Sequence, residues 1–100
     1  MQLDPSDAVA WFKKGNSLRN LGKYSEATQS YDKALQIDVN DASVWYNKGV
    51  ALHELGKYNE AIQSYDRAIQ IDPNKTRAWN NRGIALRILH GITKVGLLSN

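Results

Sequence analysis

Acid–base or nucleophilic chemistry in this chain would have to come from two histidines and scattered carboxylates, because cysteine is absent. That absence removes thiolate nucleophiles, thiolate metal ligands and disulfides together. His53 and Glu54 are adjacent in sequence, so on a helix they point to different sides and do not form an acid–base pair. His90 has no nucleophile at a suitable spacing. Gly22, Gly56, Gly91 and Gly96 are isolated breakers and not a phosphate-cradling loop. Asp38-Val39-Asn40-Asp41 offers oxygen ligands to a cation, but the glycine and distant glutamate of a calcium loop are missing. The segment reads as a helix cap. Enzymatic activity, a cofactor and a resident metal are therefore not expected.

The composition points the same way. In 100 residues, 42% hydrophobic and 23% charged side chains describe an ordinary globular chain of one domain. No apolar run approaches the roughly 20 residues of a membrane-spanning helix. The N-terminus, MQLDPSDAV, lacks the basic and apolar regions of a secretory signal. A cytoplasmic location without membrane contact is the expectation. The net charge of +3 is mild, and no cluster of five or more lysines and arginines occurs. A nucleic-acid partner is not expected.

What organises the chain is repetition. Residues 8–41 and 42–75 align without gaps with 20 identities in 34 positions, and Trp79, Gly83, Leu86 and Leu89 continue the period into residues 76–89. Each unit reads as two helices. Trp11, Gly15, Leu18 and Gly22 recur at helical steps over about Ala8–Leu21, and Ala27, Tyr31, Ala34 and Leu35 share a face over about Ser25–Asp38. Gly22-Lys23 breaks between them, and so short a connection forces an antiparallel pair. The second unit repeats this over about Ala42–Leu55 and Asn59–Asp72, with Asn40 and Asn74 as candidate caps. Gly15 and Gly49, opposite Ala27 and Ala61, remove bulk where helices approach closely. Tyr24 and Tyr58 are expected to bury their rings near the turn, and the three tryptophans to pack rather than to recognise a ligand.

Two segments depart from the period. Gln2-Leu3-Asp4-Pro5 matches Gln70-Ile71-Asp72-Pro73, so the chain opens like the end of a preceding unit, as a piece of a longer array would, or a protein that has lost its first unit. At the other end, LHGITKV replaces LGKYxEA, and residues 90–100 do not follow the template. Gly91 either ends the third helix and leaves an apolar tail folded back, or the helix runs on through it.

The unit resembles the tetratricopeptide repeat, on Trp11, Gly15, Leu18, Ala27, Tyr31 and Ala34, then Trp45, Gly49, Leu52, Ala61, Tyr65, Ala68 and Pro73. Lys14 and Lys48 stand where that family usually has leucine, and Val39 where it has proline. The resemblance implies an all-α, right-handed superhelical solenoid of antiparallel helix pairs, two and a half repeats long, acting as a protein-interaction scaffold. Its concave face would be lined by the first helix of each pair. That assigns Phe12, Lys13, Asn16 and Arg19 from the first unit, Tyr46 and Asn47 from the second, and Arg77, Asn80 and Asn81 from the third. Ser43, His53, Glu54 and Ile84 lie on the same side. Cations and amides beside Phe12 and Tyr46 suit an extended, acidic peptide. Some family members hold the acidic tails of heat-shock chaperones in a two-carboxylate clamp. Asn16, Asn47 and Arg77 match that clamp, whereas Phe12 and Asn81 replace two of its basic residues. The other reading is self-assembly, with Ile88, Leu89, Ile92, Val95 and Leu98 packing on, or exchanging with, a second copy.

Overall fold

Each of the first two repeats starts where a carboxylate meets free helix amides. Asp7 accepts from the Ala10 amide at 3.1 Å, and Asp41 accepts from the Ser43 and Val44 amides at 3.0 and 3.4 Å. An aspartate so placed satisfies donors that the helix itself leaves open. The computed structural model describes the backbone of residues 6–99 and the side chains of residues 6–92, so the repeat-like opening at residues 2–5 lies outside the described residues. Five helices follow in order: α1 (Ala8–Asn20), α2 (Tyr24–Ile37), α3 (Ala42–Glu54), α4 (Tyr58–Ile71) and α5 (Thr76–Ser99). The candidate cap Asn40 does not cap α3. Its own amide donates to Asp38, as that of Asn74 does to Asp72, and each Asp–Asn pair forms a tight turn between units.

The break inside each unit is set by one backbone conformation. Gly22 and Gly56 have φ of +78° and +77°, a region that side-chain-bearing residues rarely enter. Around them the Lys23 amide donates to the Leu18 carbonyl and the Gly22 amide to the Arg19 carbonyl, both at 2.9 Å, and Lys57 and Gly56 repeat the pattern. This double bond back into the last turn closes the helix and reverses the chain.

The third unit has His90 where the first two have Gly22 and Gly56. With histidine at the position that must turn left-handed, α5 stays helical through Gly91 to Ser99. Of the two readings of this segment, the continuing helix is the observed one.

Packing is built from small residues and two tyrosines. Ala27, Tyr31 and Ala34 of α2 and Ala61, Tyr65 and Ala68 of α4 are at most 1% exposed. The close approach at Gly15 and Gly49 involves a different neighbour from the alanines expected opposite them. A Cβ on Gly15 would sit 2.5 Å from the Tyr31 ring, and one on Gly49 2.5 Å from the Tyr65 ring. The glycine is the socket for its own unit's tyrosine. Burial raises the pKa of both phenols, most strongly through desolvation, so both stay neutral.

Successive units are joined by polar contacts as well as by packing. Lys48 pairs with Asp32 of the preceding helix at 2.7 Å, and Arg82 pairs with Asp66 at the equivalent place. The ammonium groups of Lys14 and Lys48 lie over Trp11 and Trp45, 5.3 and 5.4 Å from the ring centres. This explains why lysine is tolerated where leucine is usual: its charge is met by the indole face and, at Lys48, by Asp32 as well. Trp45 and Trp79 donate their indole N–H to the carbonyls of Val39 and Pro73 at 2.7 and 2.8 Å, pinning the inter-unit turns. Trp79, however, is half exposed, contrary to the expectation of a packed ladder, because no helix among the described residues covers that side of α5.

These contacts separate two glycines that the sequence treats alike. Gly49→Ala forces a methyl into the Tyr65 ring and is expected to lower stability by about 1–3 kcal/mol. Gly83→Ala meets nothing within 4 Å and is expected to raise it by up to about 1 kcal/mol through helix propensity. Urea unfolding of the two variants beside the parent chain checks the sign of each.

Candidate functional site

α1, α3 and α5 contact one another in sequence, and their side chains are tied across the helix gaps on one face. Asn16 is the hub of the first gap. Its Oδ1 accepts from the Tyr31 hydroxyl at 2.6 Å and from Asn47 Nδ2 at 3.2 Å, while Arg19 donates to Asn47 Oδ1 at 3.1 Å. The carboxamide oxygen of Asn16 is therefore occupied twice, and what it can offer a ligand is its N–H. In the second gap Asn81 donates to the Tyr46 hydroxyl at 3.0 Å, and Lys75 donates to Ser43 Oγ at 3.1 Å.

Two cavities lie along this face. The larger, about 340 Å³, is lined by Phe12, Ser43, Tyr46, Asn47, Lys75, Thr76 and Arg77. It joins an aromatic floor to two cations and one amide. The smaller, about 160 Å³, is lined by Val50, His53, Glu54, Tyr65, Asn81 and Ile84. It is mainly apolar and carries one carboxylate. His53 turns its ring edge-on to Tyr58 at 5.1 Å, and its Nδ1 is buried with no hydrogen-bond partner.

Of the nine assigned residues, Phe12, Tyr46, Asn47 and Arg77 meet in the larger cavity, and Asn16 and Arg19 join it through Asn47. Asn81 lines the smaller one. Lys13 and Asn80 are exposed and line neither cavity. Sequence reasoning missed Lys75 and Thr76. Lys75 is half-buried, and its Nζ lies 5.9 Å from the centre of the Tyr46 ring as well as on Ser43. A signal was present: Lys75 stands 34 residues after Asp41, in the capping position. A cation there opposes the helix dipole, which is a local cost without a local reason.

The residues named for self-association divide. Ile88 and Leu89 are half-buried, and Ile92 is 55% exposed. Leu89 and Ile92 border a cavity with Gly56, Lys57 and Tyr58 of the same chain. The side chains of Val95 and Leu98 lie outside the described residues. Among the described residues no group of three or more histidines and carboxylates could hold a metal ion, and no helix is long and apolar enough to cross a membrane.

The five helices, with no strand among the described residues, define an all-α solenoid of helix pairs. Sequence profiles of the tetratricopeptide repeat match residues 42–75 and 15–56, together well over half of the chain. The chain belongs to the tetratricopeptide repeat family. Among solved structures it is similar to the second such domain of Spaghetti (RPAP3) bound to the HSP90 peptide SRMEEVD, at 26% identity and a TM-score of 0.83, over 93% of this chain and 86% of that one. The second domain of human RPAP3 in complex with the HSP70 peptide SGPTIEEVD is similar at 28% identity and a TM-score of 0.81, over 87% and 72% of the two chains. The first domain of Spaghetti (RPAP3), also with an HSP90 peptide, has a TM-score of 0.85 at 23% identity, over 87% and 69%, and shows the shared fold. Among curated proteins, none matches the chain.

Lys75→Asp tests whether the site and the cap compete. Restoring a carboxylate at the start of α5 is expected to stabilise the fold by about 1 kcal/mol, read as a higher urea midpoint at unchanged slope.

Proposed function

We propose that this chain is a non-enzymatic scaffold whose concave face binds an extended or helical peptide segment carrying acidic residues. The observation that carries this reading is the larger cavity, where Lys75 and Arg77 converge beside Phe12, Tyr46 and Asn47. Two cations near an aromatic floor attract a carboxylate and can cover the apolar part of its side chain. The hydrogen-bonded row of Tyr31, Asn16, Asn47 and Arg19 fixes both amides in advance, so binding costs little side-chain ordering. Glu54 in the smaller cavity sets a direction. Acidic residues belong at the Lys75 and Arg77 end, and an apolar side chain at the Val50 and Ile84 end.

The neighbours that carry HSP90 and HSP70 peptides support this class of ligand, since both peptides end in EEVD. This chain differs from the chaperone clamp in having Phe12 and Asn81 at two of its basic positions. Lys75 supplies a cation from outside that pattern. Acidic segments with an aromatic or aliphatic neighbour are thus a better match than a chaperone tail held by the clamp alone.

Self-association through α5 is a second reading, favoured by the continuation of that helix through Gly91 and by the exposure of Ile92. A concentration-dependent mass in light scattering, lost in Ile92→Lys, is its expected signature.

For the groove, the measurement is fluorescence anisotropy with SRMEEVD and with its counterpart in which both glutamates are glutamine. The parent chain is expected to prefer the acidic form. The double variant Lys75→Glu, Arg77→Glu should weaken that binding at least about tenfold, equivalent to about 1.4 kcal/mol, with helicity unchanged. Equal affinity for the two peptides, or for the two proteins, removes this face as the site.

A further inference from the structure

One stripe of α5 is uncovered in a way the rest of the molecule explains. Trp79, Gly83 and Leu86 follow at helical steps of four and three, and so lie on one side of the helix. Their equivalents one repeat earlier are Trp45, Gly49 and Leu52. There α4 covers the stripe: Leu52 is 4% exposed and Gly49 is buried beneath the Tyr65 ring. In α5 the same stripe is open. Leu86 is 40% exposed, Trp79 is 50% exposed, and a Cβ on Gly83 would meet nothing within 4 Å.

The chain does not close this stripe by the route used in its first two units. Each covering helix there is folded back by a glycine at φ near +78°. The third unit has His90 at that place, and α5 continues as a helix. In a second copy α2 and α4 are each buried against their own unit, and α5, which does expose apolar side chains, lacks an aromatic residue with alanine four positions before and three after it.

We propose that the Trp79–Gly83–Leu86 stripe is a docking site for a single amphipathic helix of another protein, in the manner of α4 on α3. The molecule specifies that helix by example, twice. It carries an aromatic residue to fill the space over Gly83, with alanine four residues before and three residues after it, as in Ala27, Tyr31, Ala34 and Ala61, Tyr65, Ala68. Alanine lets the two backbones come close enough for the ring to reach the glycine. The interface would continue the existing series of α1 with α2 and α3 with α4 without a break. It also differs from the peptide groove in chemistry: shape and apolar burial select the ligand, and charge does not.

The stripe has a built-in control. A Cβ at residue 83 meets nothing within 4 Å in the isolated chain, yet Gly83→Ala and the bulkier Gly83→Leu both put atoms where the incoming ring must sit, as a Cβ on Gly15 or Gly49 would. The probe is a labelled peptide with the sequence of residues 57–72, held helical by a side-chain bridge between its exposed positions 63 and 67. Saturable one-to-one binding to the parent chain is expected. Gly83→Leu should weaken it at least about tenfold, and the same peptide with Tyr65→Ala should fail to bind. The groove variant Lys75→Glu, Arg77→Glu should bind the helical peptide like the parent, so loss of the peptide-groove reading and loss of this one are distinguishable. No saturable binding overturns the proposal, as does binding that Gly83→Leu leaves unchanged. A parent dimer that Gly83→Leu dissociates also overturns it, by making a second copy the occupant.

Discussion

The ring of Tyr31 occupies the space that any side chain at residue 15 would need, and Tyr65 does the same to residue 49. That exclusion fixes how far the two helices of a unit stand apart, and most of the molecule follows from it. With the ring seated, the flanking alanines come into contact and the pair becomes rigid. The next unit then has a defined surface to lean on, through Val44 and Ala51 against the first pair. Desolvation holds both phenols neutral, and the Tyr31 hydroxyl donates to Asn16 on the concave face. One side chain thus couples the packing of a unit to the order of its concave surface.

The charged side chains divide into two populations with different tasks. Lys48 and Arg82 pair with Asp32 and Asp66 across unit boundaries and keep the stacking in register. Such partly exposed pairs contribute little energy each, and their value is in excluding other alignments. Lys75, Arg77 and Arg19 stand on the other side, where fewer carboxylates oppose them. The mild net charge of the chain conceals this separation.

The third unit shows what happens when one element of the template is removed. With His90 at the position of the turn glycine, α5 runs on as a helix, and among the described residues no ring fills the space over Gly83, while Trp79 still anchors its turn to Pro73. This half-unit adds a further first helix to the concave face and, among the described residues, leaves uncovered the side where second helices belong.

The 34-residue period, the helix pairs and the burial of Ala27, Tyr31 and Ala34 were legible in the sequence, because local spacing alone dictates which side of a helix is apolar. The cap of α3 was misplaced by one position, since Asn40 and Asp41 are both acceptable caps and only backbone geometry chooses between them. Of the residues that meet in the larger cavity, Phe12, Tyr46, Asn47 and Arg77 were expected from the family resemblance, while Lys75 was overlooked because a break in a capping rule carries no direction until the helices are stacked. What the sequence by itself determined is each unit, since its contacts are short-range and repeat with the chain. What only the tertiary structure decided is which side chains from different units meet, and which stripe of α5 stays bare, because those depend on how one hairpin rests on the next.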